Sequence, residues 1–143
     1  MMHVLVPVND RSDAECAAKH VIDRYLGQPV VLYLVNVQLP ISKFVSRCVN
    51  HKQLEEFQKE SGMEVLQPLI DKLDAAGISH QQKILVGYKA EAIAQFARQH
   101  YCDQIMVPKK RNSVFESLGL ASISSQLRHL MGPKWQCDIS ELY

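Results

Sequence analysis

The chain has 143 residues, of which 47% are apolar and 22% charged, and its formal net charge is +1. That is enough for one domain with a real hydrophobic core. The charge balance excludes a chain drawn to nucleic acid or an acidic membrane surface by its overall field, and no apolar run approaches the ~20 residues of a membrane-spanning helix.

Residues 3–8 (HVLVPV) are short, apolar and β-branched, the pattern of a strand buried on both faces, with Pro7 marking where the ladder finishes. Residues 9–12 (NDRS) are loop and cap. Ser12 is the expected N-cap, with Asp13 and Glu15 in the first turn, where the helix dipole favours anions. The helix runs to about Leu26 on an apolar stripe of Ala14, Ala17, Ala18, Val21, Ile22 and Tyr25, and Gly27 stops it. Residues 29–37 (PVVLYLVNV) form the strongest strand pattern, with Asn36 its one polar side chain near the carboxyl end. Residues 38–50 show no clear period. Residues 54–76 read as a long helix through Leu54, Phe57, Val65, Leu66, Leu69, Ile70 and Leu73. Gly62 and Pro68 interrupt it, so a kink or break is expected near Glu64. Residues 78–86 are a third strand, polar at first and so nearer an edge. Residues 89–100 are a compact helix, and residues 103–107 a fourth strand. Residues 122–130 are a fourth helix, with Ser122 and Ser124 as caps and Ile123, Leu127 and Leu130 inward. Trp135, Cys137 and Ile139 alternate with polar residues and predict a half-exposed edge strand over 134–139. The order β-α-β-(α)-α-β-α-β-α-β implies a single α/β domain, a five-stranded, mostly parallel sheet with helices on both faces.

The stretch after the fourth strand holds the candidate site. Ile105 to Val107 end at Pro108, then come Lys109, Lys110, Arg111 and Asn112, and a Ser-rich segment opens the last helix. In such a sheet ligands sit outside the carboxyl ends of the strands, and a helix start offers free N–H groups to an anion. Asn9, after the first strand, either contacts a ligand or caps the first helix, and the sequence leaves that choice even. Asn36 is preferred as a satisfied structural amide. Lys109, Lys110 and Arg111 are preferred as a solvated cationic loop over a phosphate grip. Cys16, Cys48, Cys102 and Cys137 lack any Cys-x-x-Cys spacing and are expected to be free thiols in a reducing, cytoplasmic setting; no leader pattern opens the chain. The six histidines have no metal-ligand spacing, and no nucleophile–base set can be assembled, so no catalysis is expected.

Val4-Leu5-Val6-Pro7-Val8, Gly87-Tyr88-Lys89-Ala90-Glu91-Ala92-Ile93, Cys102-Asp103-Gln104-Ile105-Met106-Val107 and Arg128-His129 together resemble the universal stress protein A family along nearly the whole chain. The resemblance implies a Rossmann-like, adenine nucleotide alpha hydrolase-like fold and a role in stress response. It also implies ATP or AMP as ligand and a homodimer formed through the last strand, although residues 134–139 are more polar than the family's apolar run there. The family's loop of Gly, two residues, Gly, nine residues, Gly and Ser or Thr falls on Pro108, Arg111, Ala121 and Ser122, so only the last position matches. The aspartate after the first strand is replaced by Asn9. Glycines let a backbone approach phosphate with its N–H groups free, whereas Pro108 has no N–H and a fixed φ. The site expected from these residues comprises Pro7, Val8, Asn9, Asn36, Val37, Val107, Pro108, Lys109, Arg111, Asn112, Ala121, Ser122, Ile123 and Ser124, in a non-enzymatic binding or regulatory module with nucleotide binding weakened or lost. The alternative is a module that still takes ATP or AMP through side chains of the altered loop, with slow hydrolysis. An unidentified protein partner is expected, and neither nucleic acid nor membrane.

Overall fold

The computed structural model describes residues 1–41, 47, 50–109 and 122–143. The elements are β1 (Met2–Pro7), α1 (Arg11–Tyr25), β2 (Val30–Gln38), α2 (His51–Ala75), β3 (His80–Val86), α3 (Lys89–Gln99), β4 (Gln104–Pro108), α4 (Ile123–Met131) and β5 (Asp138–Leu142). The five strands lie in the order β3-β2-β1-β4-β5, and every pairing is parallel. The doubly wound α/β fold expected from the periodicity is the fold observed.

The unbroken apolar runs become the inner strands because both faces of the sheet are covered. Alternate residues divide between two cores. Val4, Val6, Leu32, Leu34 and Met106 pack with Ala14, Ala17, Val21, Leu66, Leu69 and Leu73 of α1 and α2. Leu5, Tyr33, Val35, Ile105 and Val107 pack with Ile93, Ala94 and Phe96 of α3 and with Leu127 of α4. α1 and α2 end in Gly27 and Gly77, whose φ values of 75° and 72° a side chain would resist.

Several local expectations are corrected. α1 is capped by Asp10, not Ser12: the Asp10 carboxylate accepts from the Asp13 N–H at 2.9 Å, while Ser12 lies inside the helix. Both residues are good caps, but the strand exit places Asp10 at the first free N–H groups. α2 runs unbroken through Gly62 and Pro68. The proline removes a bond to the Glu64 carbonyl, but Glu64 is exposed and that carbonyl can turn to water. Burying Leu66, Leu69, Ile70 and Leu73, at about 1.5–3 kcal/mol each, outweighs the ~3 kcal/mol that an interior proline costs. Phe57, assigned to the helix's apolar stripe, is 65% exposed, and Gln58 faces inward instead, donating to the Leu39 carbonyl at 3.1 Å. β4 continues through Pro108 rather than stopping at Val107. The last strand is Asp138–Leu142, not 134–139. Trp135 precedes it, and Ile139 and Leu142 are the residues it buries. The unassigned stretch between β2 and α2 lies largely outside the described residues, as does Cys48. Cys16, Cys102 and Cys137 are free thiols.

Gly62 has a packing reason. A Cβ there would lie 2.5 Å from Ile84 Cδ1, 2.9 Å from Ile84 Cγ2 and 3.0 Å from Asn36 Oδ1. Its lack of a side chain lets α2 press against the carboxyl ends of β2 and β3.

Candidate functional site

The chain lays down β1, β2 and β3 in one direction and then returns to the other side of β1 for β4 and β5. β1 and β4 pair at Val4–Gln104 and Leu5–Ile105, in the middle of β1 and at the start of β4. Past that point their carboxyl ends form the topological switch point at which open α/β sheets place ligands. The predicted residues gather there in two groups.

The first group closes the end of β1 against β2. Val8, reached after Pro7, donates its N–H to the Val35 carbonyl at 2.8 Å. Asn36 is 2% exposed. Its amide donates to the Val8 carbonyl at 2.8 Å, and its oxygen accepts from Gln38 Nε2 at 2.7 Å. Asn36 is therefore the satisfied amide that the sequence favours, and it ties the two strand ends together. Asn9 is exposed at the rim, and its N–H donates to the Asp13 carboxylate at 2.9 Å. The capping side chain is Asp10, not Asn9. Val37 is half-buried and continues toward β3 opposite Leu85.

The second group lies at the exits of β4 and β5. Val107 is buried and pairs with Glu141, and Pro108 pairs with Leu142. The Lys109 N–H donates to the Leu142 carbonyl at 2.7 Å. Strand alternation then turns the Pro108 nitrogen toward β1, the one direction in which a missing N–H breaks no ladder bond. The Lys109 ammonium meets Glu141 Oε2 at 3.1 Å, with both side chains about 20% exposed, and it lies 5.9 Å from the Tyr143 ring centroid. Tyr143 donates its hydroxyl to the same carboxylate oxygen at 2.9 Å.

Lys109 is thus a largely buried, ion-paired cation rather than the solvated loop cation expected. Ser124 is a correction too: it is 1% exposed and turned to Glu141, while Ser122 alone caps α4, accepting from the Ser125 N–H at 3.2 Å. Ile123, half-buried, packs on the core shared with α3. Lys110, Arg111, Asn112 and Ala121 lie outside the described residues. Glu141 and Tyr143 went unpredicted. The only signal for them was the short run Ile139-Ser140-Glu141-Leu142, whose apolar residues do not alternate.

Hydrogen bonding from Lys109, then from Tyr143 and Ser124, holds the Glu141 carboxyl below its ordinary value of 4.5 against the opposing effect of burial. A depressed carboxyl adds stability above its unfolded pKa and loses it as pH falls through the folded one. The thermal midpoint of the protein is therefore expected to exceed that of Lys109→Met most at pH 6. The gap should shrink as pH falls below about 4.5, and a gap constant from pH 6 to 3 would contradict this assignment.

A hollow of about 400 Å³ lies at the opposite end of the sheet, between the end of α4 and the start of β5, lined in part by Arg128, His129, Gly132 and Cys137. Arg128 is engaged there with the Ile139 carbonyl at 3.2 Å. Burial pushes the Cys137 thiol up to about 11, which makes it a poor nucleophile at neutral pH. Among the described residues no group of three or more His, Cys, Asp or Glu side chains is placed to hold a metal ion, and no helix is long and apolar enough to cross a membrane.

A model of the universal stress protein family matches residues 1–131. No curated protein matches the chain by sequence. Among solved structures, universal stress protein UspA from Lactobacillus plantarum superposes with a TM-score of 0.71 at 18% identity, covering 99% of this chain and 97% of that one. A universal stress protein in complex with cAMP gives 0.70 at 14% identity, with 99% and 97% covered. A universal stress protein family protein from Arabidopsis thaliana with AMP bound gives 0.63 at 14% identity, with 99% and 90% covered. At these identities the structural likeness is one of fold.

Proposed function

The chain belongs to the universal stress protein family, and we propose that within it this protein is a non-enzymatic binding or regulatory module whose adenine-nucleotide site is weakened or lost. One observation carries the reading: among the described residues, the donors near the end of β2 and just past β4 are committed inside the protein. Pro108 has no N–H to give. The Lys109 N–H is bonded to Leu142 and its ammonium to Glu141. The Asn36 amide is bonded to Val8. A phosphate chain arriving here meets a carboxylate, Glu141, beside the one cation of the described exit, and like charge at close range opposes it. The alternative, ATP held by side chains of the altered loop, requires Lys109 to leave Glu141 first.

Two of the solved neighbours carry cAMP and AMP, so adenine nucleotides are the ligands to test. Thermal unfolding of the purified protein with ATP, AMP or cAMP, with and without magnesium, should show no shift at millimolar ligand. A bound ligand at a hundred times its Kd adds about 2.7 kcal/mol, or about 8 °C for a chain of this size. A rise of that order with any of the three overturns the reading. The working partner is then a protein surface, and sedimentation at rising concentration asks whether it is a second copy of the chain.

A further inference from the structure

We propose that Glu141 is a tethered anion: its carboxylate fills the position in which Lys109, Ser124 and Tyr143 would otherwise receive a phosphate-sized oxyanion, so that this one residue decides whether the exit of β4 admits such a ligand. The proposal rests on the reading that the nucleotide site is weakened, and it names the group responsible.

Two donors bond this carboxylate and a third polar group acts on it, from three separate places. Lys109 follows β4, Ser124 lies in the first turn of α4, and Tyr143 follows β5. The ammonium is 3.1 Å and the phenol 2.9 Å from Oε2, and Ser124 adds to their effect in holding the carboxyl low. Ser124 is 1% exposed, so its hydroxyl is withdrawn from water beside this carboxylate. An ammonium with two hydroxyls on one side of a strand exit is a donor set suited to an oxyanion, with charge supplied by lysine and orientation by the hydroxyls. The set is built at the exits of β4 and β5, and not in the core. The Lys109 and Glu141 side chains keep about 20% of their surface exposed, so a dissolved anion can reach them once the carboxylate charge is gone. While Glu141 is ionised it both neutralises Lys109 and repels the competitor.

The test compares wild type with Glu141→Gln, which keeps the volume and an acceptor oxygen for Lys109, and with Glu141→Ser, which clears the space. Each is unfolded thermally in inorganic phosphate and in chloride of matched ionic strength, with near-ultraviolet circular dichroism to establish the native state. The phosphate-minus-chloride shift is expected to be absent in wild type and about 4 °C in at least one variant. It should disappear again when Lys109→Met is added. Equal shifts in wild type and both variants overturn the proposal, as does no shift in either folded variant or a gain that survives Lys109→Met. AMP and ATP arms on the same variants separate the sources: a response no larger than that to phosphate means a bare oxyanion site, and a larger one a nucleotide. A wild-type response to ATP defeats the function proposed above, whereas silence of the variants toward phosphate defeats only this inference.

Discussion

Changing Asn36 to aspartate is expected to destabilise the protein by about 3 kcal/mol at pH 7 and to lower its thermal midpoint by about 10 °C. The substitution is nearly isosteric, so packing is preserved and the effect isolates one hydrogen atom and one charge. Asn36 lies 2% exposed between two strand ends. Only its NH2 group can face the Val8 carbonyl at 2.8 Å, because two oxygens at that distance repel. A carboxylate sets an anionic oxygen against that carbonyl, in a place water does not reach. Gln38 can still donate to the other oxygen, at 2.7 Å in the native chain, and this offsets part of the loss. Burial and the facing carbonyl both raise the folded pKa of the new aspartate above its unfolded value of about 3.9. The penalty is therefore absent below about pH 4 and grows as pH rises through the folded pKa. Urea unfolding at pH 4 and pH 7 reads this directly. A variant as stable as the native protein at pH 7 would show that Asn36 does not join the strand ends as described.

Changing Gly62 to valine is expected to cost about 2–4 kcal/mol, read as a lower urea midpoint with an unchanged slope. Glycine in a helix is intrinsically worse than most residues by about 0.5–1 kcal/mol, so propensity alone predicts a gain. Contact decides otherwise. The new Cβ would fall 2.5 and 2.9 Å from two carbons of Ile84, and the γ-methyls require further room. Ile84 is half-buried and can yield partly, but the third neighbour is Asn36 Oδ1 at 3.0 Å, which is fixed by its own bonds. Alanine at 62 should show the same sign with a smaller loss. Because both sites share Asn36, the losses in the Gly62→Val/Asn36→Asp double variant should not add. A stabilised Gly62→Ala would mean that α2 does not approach β2 and β3 this closely.

The inner strands and the helix stripes were legible because they carry strong contrast. Nine residues of β2 with a single buried amide allow few other readings, and α1 and α3 show their small apolar residues at helical spacing. What failed was decided by distant neighbours. Gly62 and Pro68 look like interruptions when α2 is read alone, since the reason for the first is Ile84 and the remedy for the second is the buried face around Leu69. Two good caps in a row, Asp10 and Ser12, cannot be ranked without knowing where β1 releases the chain. β5 is an edge strand in which Asp138, Ser140 and Glu141 dilute the apolar signal, and the alternation of Trp135, Cys137 and Ile139 drew the assignment four residues early. Of the site, Asn36 was read correctly because an amide in an apolar strand must be bonded. Lys109 was misread because its partner stands 32 residues away. That Pro108 has no N–H to offer was legible in the letters themselves. The Glu141 carboxylate beside Lys109 was not.

The central position of β1 has a consequence for how the protein is made. Its neighbour on one side, β2, begins at Val30, but the bonds on its other side reach Asp103, which takes the His3 N–H at 2.8 Å across 100 residues of sequence. A nascent chain leaving the ribosome can assemble β1, β2 and β3 early. It must then carry the bare flank of its middle strand until β4 emerges, an open template for any other extended segment. β4 is the strand that covers that flank, so release before it emerges would leave a half-sheet with its most adhesive edge uncovered.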